Sequence, residues 1–196
     1  MSNSDESSRQ SPEERRAQII DIAAAHFSRD GIAGASMSAI ATDAGVTRAL
    51  VYHYFPGKER LLEAVLQREA NRVLIATQPD TSLSQRENLD RALTAFFDHF
   101  EASSGGIREL YSPTSSTAST AAALAAANHT IQVERLLSAT GTENSAQTRL
   151  LMGAWLAMVE YTARHAIDQP GVSRDELRTM CVVALEGLLG HNLPSS

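Results

Sequence analysis

The segment Ala39 to Lys58 reads AIATDAGVTRALVYHYFPGK, and it leaves the chain little choice of local fold. Two short helical patterns flank Ala44-Gly45-Val46. A tight corner between helices needs a residue that accepts a left-handed backbone, and glycine does so without a Cβ penalty. Ser36 can cap a helix over Met37 to Ala44, which Gly45 ends. Thr47 can cap a second helix over Arg48 to Tyr54. Pro56 closes it, because the residue before a proline is pushed out of helical geometry. Ile40, Ala44, Val46, Val51 and Phe55 can point back toward a preceding helix and hold the corner.

The opposite face of the second helix then stays free. It carries Arg48 and Tyr52 at i and i+4, Ala49 with His53, and then Tyr54. Three consecutive rings with few charges make an odd solvent face. Tyrosine hydroxyls and arginine donate to phosphate, and arginine reads guanine in the major groove, so DNA would suit this surface. The competing reading is a helical hairpin whose aromatic residues belong to a core.

Helical periodicity dominates the rest of the chain, and no run of β-branched alternation stands out. Glu13 to Arg29 places Ile19, Ile20, Ala23 and Phe27 three and four residues apart, and Gly31 fits a stop. Lys58 to about Thr77 reads as a longer helix, and Gln78 to Ser84 as a linker. A helix marked by Leu89, Leu93, Phe96, Phe97 and Phe100 runs to Gly105-Gly106. Ile107 to Tyr111 is at most a short helical turn, and Ser112 to Thr120 a loop. An Ala-rich helix to about Thr140, a long helix over Thr142 to Asp168 and a last one over Arg174 to Gly190 complete the pattern. The expected fold is all-α, about nine helices: a three-helix helix-turn-helix head and a C-terminal helical bundle. The expected segments are a disordered tail (1–11), a DNA-binding domain (12–57), a connecting helix (58–77) and a ligand-binding and dimerisation domain (78–196).

At residue level the head resembles the N-terminal signature of the TetR family of regulators. The matching residues are Ile40-Ala41, Ala44-Gly45-Val46-Thr47, Val51-Tyr52-His53-Tyr54-Phe55 and Lys58-Glu59-Arg60-Leu61. The resemblance covers about residues 13–66. It implies that Ser36 caps the second helix and touches phosphate, and that Thr47 and Arg48 open a recognition helix. It further implies backbone or base contacts from Tyr52 and Tyr54, and a phosphate contact from Lys58, the chain's only lysine. Ser38, Ala49 and His53 complete the DNA-binding candidates. The sequence departs from the pattern at Leu50, where the family often has Thr. A leucine donates no hydrogen bond and can only press on a thymine methyl or turn inward.

The resemblance fades after about residue 70. In the last helix Leu177, Cys181, Ala184 and Leu188 form one stripe, and Met180, Val183 and Gly187 another. The long helix before it carries Leu151, Trp155, Met158 and Thr162 on one face, with Leu150, Ala154 and Tyr161 beside it. A helix that is apolar nearly all round is buried on two sides. One side can face its own bundle and the other a twin subunit, which is also how TetR-like proteins dimerise. The dimer candidates are Leu151, Tyr161, Leu177, Met180, Val183, Ala184 and Leu188; the alternative is a monomer with a thick central helix pair. A symmetric dimer would set two recognition helices on two half-sites of a palindromic operator. Phe96, Phe97, Phe100, Tyr111, Trp155, Met158 and Tyr161 are candidates to line an apolar cavity, or else fill a core. The resemblance makes a pocket for a small effector the expectation. His99, Arg108, Glu160, Arg164 and His165 could supply polar anchors.

Composition narrows the remaining classes. A net charge of −6 at first sight argues against a nucleic-acid partner. Residues 1–68, however, hold 8 Arg and Lys against 9 Asp and Glu, whereas the rest holds 9 against 14. The acidity lies mainly outside the head. No secretory leader or membrane-length apolar run is read, and the single cysteine, Cys181, fits a reducing cytoplasm. The six histidines stand in no metal-protease spacing, and no nucleophile elbow or phosphate-cradling glycine loop is present. The expectation is a regulator, most simply a repressor, with no catalytic residue, metal or cofactor. A helical adaptor that has lost DNA binding is the other class.

Overall fold

The first helix begins on its cap. Ser11 Oγ accepts from the Glu14 backbone N–H at 3.1 Å, and the Glu14 carboxylate accepts from the Ser11 N–H at 2.7 Å. This reciprocal pair satisfies two otherwise orphaned donors and starts α1, Pro12–Gly34. The structure is a computed structural model that describes residues 10–102, 118–166 and 171–194. Of the tail expected over 1–11, residues 1–9 lie outside that range, and Ser11 already belongs to the helix start.

Gly31 has φ 69° and ψ 168° and interrupts α1, so the glycine acts where the sequence places a stop. Next come α2, Met37–Asp43, and α3, Arg48–Tyr54. Ile19, Ile20, Ala23 and Phe27 of α1 are buried together with Ile40, Ala41, Ala44, Val51 and Phe55. The helix α4, Lys58–Ala76, follows. The chain divides into two compact units, Met1–Val65 and Leu66–Ser196, so the division falls inside α4.

The second unit holds the later half of α4 and four more helices: α5, Gln85–Ala102; α6, Ala118–Thr140; α7, Ala146–Ala166; and α8, Arg174–Leu189. Its core joins Leu93, Phe97 and Phe100 of α5 to Val133 and Leu137 of α6, Met152, Trp155 and Val159 of α7, and Cys181, Val182 and Leu185 of α8. Trp155 Nε1 donates to the Cys181 carbonyl at 2.8 Å, so the indole is anchored by its one polar atom within an apolar core. From α6, Asn128 Nδ2 donates to the Ala70 carbonyl at 3.1 Å and Arg135 Nη1 to the Leu74 carbonyl at 2.7 Å.

Three expectations need correction. The described residues form eight helices, not about nine; the short turn expected over Ile107–Tyr111 lies outside them. The loop expected through Thr120 gives way to helix from Ala118. The long helix expected from Thr142 starts at Ala146. Ser145 Oγ accepts from the Thr148 N–H at 3.2 Å, and Gly141 turns the chain at φ 63°, so residues 142–145 form the approach to a capped helix.

Candidate DNA-reading surface and body cavity

The corner between α2 and α3 is closed mainly by backbone. The Gly45 N–H donates to the Thr42 carbonyl and the Val46 N–H to the Ala41 carbonyl, both at 3.0 Å. With Gly45 at φ 65°, this is the paired-bond ending that satisfies the last carbonyls of a helix. Thr47 Oγ1 then accepts from the Leu50 N–H at 3.2 Å and starts α3. Ile40, Ala44, Val51 and Phe55 are buried as expected from their spacing, whereas Val46 is only half-buried. Arg16 rests on the Phe55 ring at 5.1 Å from its centroid.

With Val51 and Phe55 turned inward, Arg48, Ala49, Tyr52 and His53 stand in solvent, as do Ser36, Ser38 and Thr47. Tyr54 and Leu50 are half-buried. Ser36 sits at the α2 cap position without a side-chain capping bond. Arg48 Nη2 donates to Tyr52 Oη at 3.3 Å, and its guanidinium carbon lies 5.2 Å from the Tyr52 ring centroid. The pair presents one planar cation and one hydroxyl on the same exposed stripe.

Lys58 is placed differently from its sequence reading. Its Nζ donates to the carbonyls of Ile32, Ala33 and Ala35 at 2.9, 3.0 and 2.9 Å. An ammonium has three donors, and these bonds engage all of them with the C-terminal end of α1. A direct phosphate bond from Lys58 would require giving one up. A further tie at this level went unread in the sequence: buried His26 Nε2 lies 2.8 Å from Asp43 Oδ2, joining α1 to the last residue of α2.

The second unit contains a cavity of about 550 Å³, counting its open mouth, between α5, α6 and α7. Its apolar wall includes Leu89, Leu93, Phe96, Leu136, Trp155, Leu156 and Val159; Thr77, Asn128, His129, Gln132 and Glu160 are the polar lining. Of the expected lining residues, Phe96 and Trp155 are in place. Phe97 and Phe100 are buried in the core, and Met158 packs against that core. Tyr161 is 61% exposed and stacks on His165 at 4.1 Å, on the outside of α7. Tyr111 lies outside the described residues.

Of the proposed anchors, Glu160 lines the cavity, His99, Arg164 and His165 are not among its lining residues, and Arg108 lies outside the described residues. Burial pushes the Glu160 carboxyl up to about 7, opposed only in part by Arg164. His129, not foreseen as a lining residue, has its imidazole pushed down by burial. A sequence signal for it exists in Gly153: a Cβ there would stand 3.0 Å from His129 Nε2, so the glycine makes room for the ring. Among the described residues no cluster suits a metal ion, and no helix is long and apolar enough to cross a membrane.

A buried corner carrying an outward α3 defines the helix-turn-helix class of transcriptional regulators. Residues 19–65 match the model for bacterial regulatory proteins of the tetR family. A solved tetR-family transcriptional regulator from Streptomyces coelicolor is 31% identical, covers 92% of this chain and 82% of its own, and superposes with a TM-score of 0.82. The chain belongs to the TetR family. The transcriptional activator FasR of Mycolicibacterium smegmatis is 35% identical over 101 residues, 50% of this chain and 46% of that protein. A transcriptional repressor from Streptomyces coelicolor is 36% identical over 69 residues, 35% of this chain and 36% of its own. The matches thus span less than half the length of these two curated relatives. Regulators of transcription are what the chain is similar to.

Proposed function

We propose that this chain is a homodimeric repressor that occupies a palindromic operator and leaves it when a small, largely apolar effector enters the cavity of the second unit. The observation that carries the reading is the α3 face: Arg48, Tyr52 and His53 are exposed on a seven-residue helix whose Val51 is fully buried. Such a helix presents base-reading and phosphate-binding groups while its inner side fixes its angle. Ser36, Ser38, Thr47, Ala49 and Tyr54 border the same surface.

Pairing of two chains is supported by α7 and α8. Leu150, Tyr161, Met180, Val183 and Leu188 are exposed there, an apolar set that a second copy would cover. Leu177 and Ala184 instead pack partly against the chain's own core, and Leu151 is half-buried. An effector shifts the balance between DNA-competent and incompetent dimers only by its difference in affinity for the two. Work in the cytoplasm, beside the DNA, accords with this reading.

The test is a gel-shift with DNA from the chain's own promoter region over a range of salt. Retention at low salt that falls steeply with ionic strength is expected. Failure to bind at low ionic strength would leave a helical adaptor as the better reading. Transcription in vitro from the same promoter then separates repression from activation, the role printed for FasR.

A further inference from the structure

We propose that the cavity of the second unit takes a lipophilic cation, an alkyl or aryl ammonium whose charged head pairs with Glu160 and whose apolar body lies along Trp155 and Phe96. The inference rests on reading this cavity as the effector site and adds the chemistry of the ligand.

The argument begins from what the lining lacks. Apart from Glu160, its only ionisable described residue is His129, and burial favours the neutral imidazole. No Lys or Arg is among the described lining residues. Among the described lining residues an anionic ligand would therefore meet a carboxyl group and no cationic side chain; Arg164, whose charge reaches Glu160, is not one of them. His129 Nδ1 stands 3.9 Å from Glu160 Oε1, beyond hydrogen-bonding distance. A buried carboxyl in an apolar recess either keeps its proton or acquires a cation. Desolvation pushes the Glu160 carboxyl up to about 7 and the charge of Arg164 offsets only part of that, so an ammonium inside the cavity would favour the charged carboxylate further.

The walls suit the rest of such a molecule. Trp155 has its N–H directed to the Cys181 carbonyl, away from any ligand, and so offers the cavity an apolar ring. Phe96 offers a second. Aromatic faces attract cations as well as hydrocarbon. Gln132 Nε2 donates to Thr77 Oγ1 at 2.7 Å, and Asn128 Nδ2 is held on the Ala70 carbonyl. The amide nitrogens of those two side chains are engaged within the protein, and Glu160 is the described lining group with negative charge to offer.

The chain has one tryptophan, and it lines the cavity, so its fluorescence reports occupancy directly. Purified full chain would be titrated with decylamine, decanol and decanoate, which share a tail and differ in head charge. The expected result is that decylamine binds at least about tenfold tighter than either other probe. Glu160→Gln should bring decylamine to the level of decanol while decanol binding persists, and Glu160→Asp should keep the preference for the amine. Equal affinities, a preference for decanoate, no response to any probe, or undiminished amine binding in Glu160→Gln would each overturn the proposal. Adding the amine to the promoter-bound protein separates the two readings. Amine that binds but releases no DNA leaves the cation site standing and removes the effector role. Release by decanoate alone does the opposite.

Discussion

The Nζ of Lys58 lies 2.9 Å from the carbonyl oxygen of Ala35, 23 residues earlier in the chain. The only lysine thus braces the end of α1 against the start of α4, with Ile32 and Ala33 as further acceptors. Helix ends leave carbonyls without partners, and a cation there satisfies them and suits the helix dipole. Lys58→Met should lower the stability of the head by on the order of 1–3 kcal/mol. DNA affinity should fall with it while the slope of log affinity against log salt stays as in the parent. A slope reduced by about one would instead show a phosphate released from Lys58.

Arg48 and Tyr52 rest on each other in the absence of DNA. Arg48→Ala should cost on the order of 1–3 kcal/mol of operator binding if the guanidinium grips guanine bidentately, and should relax preference at one position per half-site. Competition among operator variants reads this directly, and uniform weakening across all of them would move Arg48 from base to backbone contact.

Gly45 holds φ 65°, yet a Cβ added there would meet nothing within 4 Å. The cost of Gly45→Ala is therefore conformational alone, about 1–2 kcal/mol. Denaturant unfolding should show that loss, and a larger one would mean that the corner is crowded.

Glu160 makes ligand-free stability depend on pH. Its folded value of about 7 exceeds the ordinary 4.5. The protonated carboxyl is thus favoured in the folded state, and its contribution is fully present below pH 4.5 and lost as pH rises through 7. Between pH 5 and 8 the parent should lose about 2–3 kcal/mol relative to Glu160→Gln. Urea unfolding of both at the two pH values gives the difference, and parallel behaviour would place the carboxyl in water.

Val183 is 58% exposed on α8 despite its apolar side chain. Val183→Asp would place a charge in the proposed interface without touching the core, shifting sedimentation from dimer toward monomer and weakening operator binding. An unchanged dimer would put the contact elsewhere.

What the sequence revealed was mostly local. Gly45, Thr47 and Pro56 act on their own backbone neighbours, so the corner and the outward side of α3 could be read directly. Lys58 could not, because its acceptors lie 23 to 26 residues away. The cavity was half legible for a related reason. Helical spacing groups Phe96 with Phe100 and Trp155 with Met158, but only the rotation of packed helices decides which ring meets empty space. Tyr161 follows the same spacing and ends on the outside of α7. The start of α7 was misplaced because Ser145 and Thr148 settle it through side-chain bonds rather than apolar pattern.

The bonds that end α2 run from Gly45 and Val46 to main-chain carbonyls, and no outward side chain takes part. Apart from Thr47, whose hydroxyl caps α3, the tilt of α3 is thereby insulated from the letters written on its outer side. Those letters are free to drift or be exchanged while the hinge of the corner stays fixed, so one scaffold can acquire a new address on the chromosome by changing a handful of surface residues.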